Sequence, residues 1–131
     1  MKEKRQVFET SAGVGRHRVD IAVSLVGEDL VAIISGGEKS HVGAVAVAIP
    51  RPSLKDADKM SSTSSVFTLV GHKDDEVART ISGALASKLN KVAVVSAGVH
   101  VDNASAADIR KLVKNAEKAL KDAIGFFLAQ K

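Results

Sequence analysis

Three histidines of the sequence, His41, His72 and His100, lie close to glycines and carboxylates, which are residue types that build metal and anion sites. A metal would be bound by the three imidazoles together with a carboxylate. A phosphate would instead be bound by backbone N–H groups of glycine turns and of a helix start. The candidate ligand-binding residues of this group are Gly36, Gly37, His41, His72, Asp74, His100, Asp102 and Asn103.

A structural role is the third alternative, because loop histidines and carboxylates often satisfy the backbone groups of turns. The spacing of the histidines matches no zinc motif. The sequence also contains no Gly-x-Ser-x-Gly elbow and no complete phosphate-loop or dinucleotide-binding motif. We therefore assign no catalytic residue and no metal site, and the metal set His41, His72 and His100 stays an alternative.

The hydropathy pattern predicts an α/β chain of the two-layer α+β kind, with about six mostly antiparallel strands and two helices on one face of the sheet. Strands are predicted at residues 5–12, 16–26, 30–34, 42–49, 66–70 and 92–95, and helices at residues 72–90 and 105–129. Short turns join the first four strands, which predicts a meander. The segment 66–95 predicts one right-handed parallel crossover. The length of 131 residues predicts a single domain over residues 1–131.

This topology predicts that the histidines meet at one end of the sheet, which we call the histidine rim. Strands five and six end near His72 and His100, and strand four starts at His41. The N-terminus of the first helix points free N–H groups at the same rim. Glycine turns, imidazoles, carboxylates and a helix start are thus predicted to share one site.

Arg51 is a further candidate, and the predicted topology places it at the opposite rim. It lies between Pro50 and Pro52 at the start of residues 50–64, which are predicted to form a long loop. Connections of this length are usually functional or mobile. The guanidinium would bind a phosphate or a partner's carboxylate.

Residues 42–49, Val-Gly-Ala-Val-Ala-Val-Ala-Ile, show no polar alternation, which is typical of a strand covered on both faces. Two helices, each ~10 Å wide, cannot cover both faces of six strands spaced ~4.8 Å apart. A second copy of the chain is the simplest cover for the open face, so the sequence predicts a homodimer through the sheet.

The composition excludes several classes of protein. The sequence has no cysteine, which excludes disulfides and favours a reducing, cytoplasmic location. No apolar run approaches the ~20 residues that cross a bilayer, so no membrane association is expected. The net charge is only +4 and the aromatic residues are four phenylalanines, so base stacking has few platforms and no nucleic-acid partner is expected.

These motifs together make the chain similar to the prenylated-flavin chaperone LpdD-like family. The resemblance spans most of the chain from about Val19 onward. It rests on Gly36-Gly37 and on residues 41–46, 50–53, 62–66, 71–75 and 98–104. The family is itself similar in architecture to proteasome assembly chaperones, which have a six-stranded sheet with two helices and work as dimers.

The resemblance implies a non-enzymatic accessory protein that holds or delivers prenylated FMN, or that helps a UbiD-type hydroxyarylic acid decarboxylase to mature. Prenylated FMN is then the implied cofactor and the decarboxylase the implied partner. The residues alone leave two other functions open. One is a small enzyme, or a metal or phosphate binder, at the histidine rim, and the other is a homodimeric protein-interaction module.

Overall fold

The computed structural model describes residues 6–69 and 74–130. These residues form one six-stranded sheet in the order β1-β2-β3-β6-β4-β5, with two α-helices. The elements are β1 (Val7–Ala12), a 3-10 turn (Gly15–His17), β2 (Val19–Val26), β3 (Asp29–Gly37), β4 (Lys39–Pro52), β5 (Met60–Thr68), α1 (Asp74–Leu89), β6 (Ala93–His100) and α2 (Ala106–Leu128). The predicted fold class is confirmed, because every neighbouring pair of strands is antiparallel except β3 and β6.

The predicted meander of four strands is wrong at its last step. Strands β1, β2 and β3 pair in sequence, but β6 lies between β3 and β4. The short turn at Glu38 suggested adjacent strands, whereas the final strand is apolar on both faces and takes a central place in the sheet. Strands β5 and β6 run in the same direction, since each is antiparallel to β4, and α1 connects them.

The core lies between one face of the sheet and the two helices. Helix α1 packs on β4, β5 and β6, and helix α2 packs on β1 and β2. In β4, the side chains of Ala44, Ala46 and Ala48 face the helices and are fully buried. Their small size lets α1 approach closely. Val47 and Ile49 point to the opposite face and are exposed, so the helices cover the apolar run on one face only.

The prediction of a long loop over residues 50–64 is wrong. Strand β4 continues to Pro52 and β5 starts at Met60, which leaves residues 53–59 as the connection. Both prolines lie beyond Ala48, the last β4 residue that pairs with β6, so their missing N–H groups cost no hydrogen bond on that side. The serine-rich run suggested a flexible loop, but pairing with β4 and cover by α1 make it a strand.

Strands β3 and β6 also extend further than predicted, to Gly37 and His100. Their parallel pairing continues to the last residue, where Gly37 lies beside His100. The residues predicted to form a loop from Gly98 onward therefore begin inside the sheet. This extension moves the histidine rim onto strand ends, which are more rigid than a loop.

Helix α2 starts with a capping box, for which the sequence Ser105-Ala106-Ala107-Asp108 is a local signal. The Ser105 hydroxyl accepts the Asp108 N–H, and the Asp108 carboxylate accepts the Ser105 N–H. Neither α1 nor α2 is long and apolar enough to cross a bilayer.

Candidate functional site

A bulge in β4 forms the floor of the histidine rim. Ser40 pairs with Val99 and Ala44 pairs with Ala97, so three residues of β4 face only Gly98 of β6. A side chain at Gly98 would collide with the carbonyl group of His41. The glycine therefore permits the bulge, and bulges of this kind re-aim side chains at the edges of sites.

Replacement of Gly98 by alanine tests this close approach. We expect Gly98→Ala to lower the free energy of unfolding by more than about 3 kcal/mol, because backbone must shift on both strands. Gly125→Ala is the matched control, since a Cβ at this helical position meets no atom within 4 Å. The control should raise stability by about 0.5–1 kcal/mol. Urea unfolding of both variants checks the prediction, and equal effects would contradict it.

The bulge brings His41 to Asp74, the first residue of α1. His41 Nε2 lies 3.0 Å from Asp74 Oδ2, and Asp74 Oδ1 accepts the Val99 N–H at 3.1 Å. The Asp74 side chain is only 5% exposed, and it leaves no room for a side chain at Gly43. A buried carboxylate needs such partners, so β4, β6 and α1 are fixed together at this point.

A second imidazole–carboxylate pair stands beside the first. His100 Nε2 lies 2.8 Å from Asp102 Oδ1, and the ring centroids of His100 and His41 are 6.2 Å apart. Glu38 closes the rim, because its carboxylate accepts the Asp102 N–H and its own N–H donates to the His100 carbonyl. The structure thus brings His41, Asp74, His100 and Asp102 together, as the sequence predicts.

The glycine pair supports this rim through its backbone. Gly36 and Gly37 have φ values of +145° and +72°, which disfavour larger residues. A Cβ at Gly36 would meet the backbone of Arg18, and one at Gly37 would meet the backbone of His100. The Gly37 N–H donates to the Arg18 carbonyl at 2.9 Å. Three backbone segments approach closely here, which explains why both positions are glycine.

One predicted candidate, Arg51, stands apart from this group. Arg51 lies at the far end of β4, where its Nε donates to Thr63 Oγ1 at 2.7 Å and its Nη1 donates to the Pro52 carbonyl. Ten residues of strand at ~3.3 Å each separate it from His41. His72 lies outside the described residues. Within residues 6–69 and 74–130, no group of three or more histidines, aspartates or glutamates is arranged to hold a metal ion.

The 3-10 turn clamps the start of α2 to the histidine rim. His17 Nε2 lies 2.8 Å from Asp108 Oδ1, and Arg16 Nη2 lies 3.8 Å from Asp108 Oδ2. Asn115 donates to the His17 carbonyl at 2.7 Å, and Arg16 donates to the Asp102 carbonyl at 3.2 Å. Hydrogen bonds from the Ser105 N–H and from His17 hold the pKa of Asp108 well below its usual range.

The lowered pKa predicts an acid-dependent role for this clamp. Because the folded state favours the Asp108 carboxylate, its contribution to stability is present above about pH 4 and is lost as pH falls further. Asp108→Asn should therefore destabilise the protein at pH 7, and its deficit relative to wild type should shrink towards pH 2. Asp122→Asn on the exposed face of α2 is the matched control. A deficit that is constant with pH, measured by urea unfolding, would contradict the assignment.

An interhelix groove opens beside the histidine rim, and sequence reasoning did not find it. Its larger part, the outer chamber, has a volume of about 530 Å³ and lies between α1, α2 and the end of β6. The groove's smaller part, which we call the inner chamber, has a volume of about 260 Å³ and lies further along α1 and α2. The outer chamber is within the range of roughly 300–1,000 Å³ that is common for small-molecule sites.

The walls of the outer chamber are aliphatic and its mouth is polar. Three polar residues line the chamber, namely Asp74, His100 and Asn103. His100 and Asn103 reach the surface and form what we call the mouth, whereas Asp74 is buried. The walls are formed by Val77, Val99, Val101, Ala104, Ile109, Leu112, Val113 and Ala116. An apolar body with a few convergent polar groups is the usual form of a ligand site. The one sequence signal was the apolar stripe of α2, whose residues Ile109, Leu112 and Val113 line the chamber.

The sequence matches the family model described as "Prenylated flavin chaperone LpdD-like domain" over residues 13–127. No curated protein matches the chain.

Proposed function

The chain belongs to the prenylated flavin chaperone LpdD-like family, and we propose that it holds a prenylated flavin in the interhelix groove without changing the flavin chemically. The groove is the observation that carries this proposal. It combines the volume and the apolar walls that a flavin ring needs with a polar mouth. The flavin supplies the chemistry after transfer to an enzyme, so this chain needs only to bind, orient and release it.

The residues of the outer chamber fit the ring system of a flavin. Val77, Leu112 and Val113 offer aliphatic surface on two helices, against which a flat heterocycle can be buried. The described part of the chamber contains no Phe, Tyr or Trp side chain, so binding would depend mainly on burial rather than on ring stacking. Such a site suits a carrier, which must release its ligand.

The mouth fits the polar end of the ligand. The side-chain amide of Asn103 offers N–H donors to carbonyl or phosphate oxygens, and His100 lines the chamber beside it. The carboxylate of Asp74 is already engaged by His41 and by the Val99 N–H, which limits its repulsion of an anion. His41, Asp102 and Glu38 would then position the mouth rather than bind the ligand directly.

We further propose that the recipient is a UbiD-type decarboxylase and that the chain acts before that enzyme's reaction. Purified protein should retain prenylated FMN at 1:1 stoichiometry through gel filtration, measured by flavin absorbance. The loaded protein should then activate the apo-decarboxylase. Metal analysis of the same sample separates the alternatives, because stoichiometric zinc without flavin would support a metal-dependent binder. Retention of neither would overturn the proposal.

The open face of the sheet supports a homodimer, which we propose as the working form. Apolar side chains cover this face, and those of Ile33 and Phe67 are 54% and 73% exposed. The pairing register joins them into adjacent rows that contain Ala22, Val31, Ile33, Val45, Val47, Ile49, Phe67, Val94 and the uncharged Ser24, Ser65 and Ser96. Six strands of about seven residues present roughly 650 Å². This area approaches the ~800 Å² per partner of a standard interface. The apolar centre of the face is complementary to itself, while Glu9, Asp20 and Arg51 lie towards its margins.

A further inference from the structure

The interhelix groove has two chambers that share walls. Both are lined by Val77, Ile109, Val113 and Ala116, so the outer chamber continues into the inner chamber between α1 and α2. The inner chamber ends against Ile81 and Leu120, both of which are buried. A ligand that enters at the mouth can therefore extend an apolar part past Val113.

The charges around the groove give the ligand a direction. Glu76 and Glu117 line the inner chamber, and they carry no described ion pair. Two carboxylates at this point disfavour the phosphate end of a flavin nucleotide. The side-chain amide of Asn103, which can donate N–H groups to an anion, lines only the outer chamber. The apolar end of the ligand is thus favoured in the inner chamber and the anionic end at the mouth.

We propose that the inner chamber receives the prenyl-derived part of the flavin, so that this chain distinguishes prenylated FMN from unmodified FMN. This inference rests on the proposed function and assigns specificity to residues that the outer chamber does not use. Unmodified FMN would fill the outer chamber alone and leave the inner chamber to water. Each methylene buried there changes affinity by roughly fourfold. The wild-type protein should therefore bind prenylated FMN at least ~30-fold more tightly.

Thr80 is the residue to change, because it lines only the inner chamber and is exposed on α1, so the fold should tolerate substitution. Thr80→Phe should weaken binding of prenylated FMN at least ~10-fold and leave the affinity for FMN within about twofold. Thr80→Ala should leave the preference in place. Lys88→Phe is the matched control on the exposed side of the same helix, outside both chambers.

Isothermal titration of both flavins into the four proteins tests the inference. A wild-type preference that collapses only in Thr80→Phe supports it. Equal affinity of the wild type for both flavins would overturn the inference while leaving the proposed function standing. A preference that survives Thr80→Phe would also overturn it, because the prenyl part would then lie elsewhere. Binding of neither flavin would overturn the proposed function itself, and a groove that instead binds an apolar peptide would overturn both.

Discussion

Val113→Glu is expected to abolish binding of prenylated FMN, with a loss of affinity of at least ~100-fold. Val113 lies where the two chambers of the interhelix groove meet, and it lines both. A carboxylate at this point either loses its hydration when the flavin binds or keeps the flavin ring out of the groove. Burial of an unpaired charge costs several kcal/mol. The new charge also repels the phosphate of the flavin. The measurement is isothermal titration of prenylated FMN.

Leu128→Glu is the control, because Leu128 is on the same helix and is exposed to nearly the same extent, 43% against 42% for Val113. It lies outside both chambers. Thermal unfolding should give similar stabilities for the two variants, so any difference in affinity reports the groove. Unchanged flavin affinity in Val113→Glu would contradict the location of the site.

Ile33→Glu is expected to convert the proposed homodimer into a folded monomer. Ile33 lies on the central strand β3 and faces the open side of the sheet, where its neighbours are Ala22 of β2 and Ser96 of β6. In a dimer, two-fold symmetry would bring both copies of the new carboxylate into one apolar interface. Such a burial without partners should weaken association at least ~100-fold.

The molecular mass from sedimentation equilibrium checks this prediction, with circular dichroism to confirm the fold. Leu54→Glu is the matched control, since Leu54 is exposed in the β4–β5 connection, away from the open face. The control should remain a dimer. A wild-type protein that is monomeric at micromolar concentration would refute the homodimer without bearing on the interhelix groove.

The sequence predicts the elements well where hydropathy and capping agree. The stripe of α2 and the Ser105–Asp108 capping box are local signals, and the structure contains both. Strand order is a different matter, since the place of β6 between β3 and β4 depends on pairing over about 60 residues of chain. The two-residue hydropathy period of a strand does not indicate which strand lies beside it in the sheet.

The serine-rich start of β5 shows how tertiary contacts override local preference. Serine favours turns in isolation, because its hydroxyl competes for backbone hydrogen bonds. Here Ser62 and Ser64 lie under Gly83 of α1, and pairing with β4 satisfies the backbone. The missing side chain of the glycine allows this approach, which no pattern within β5 reveals.

The candidate site was predictable in part. Strand polarity sufficed to bring His41, Asp74 and His100 to one rim, because strand ends follow from topology. The interhelix groove did not follow, since a gap between two helices depends on how far they splay. Apolar residues such as Val77 and Ile109 have the same pattern whether they face a core or a cavity.

Methyl NMR of the isotope-labelled protein during titration with prenylated FMN tests the central claim most directly. The two apolar surfaces contain different residues, so their methyl signals separate the groove from the open sheet face. We predict that the methyl signals of Val77, Leu112 and Val113 shift saturably with added flavin. The methyl signals of Ile33 and Ile49 should stay in place, provided that the oligomeric state does not change. Shifts confined to Ile33 and Ile49, or no shifts at ligand excess, would contradict a flavin site between α1 and α2.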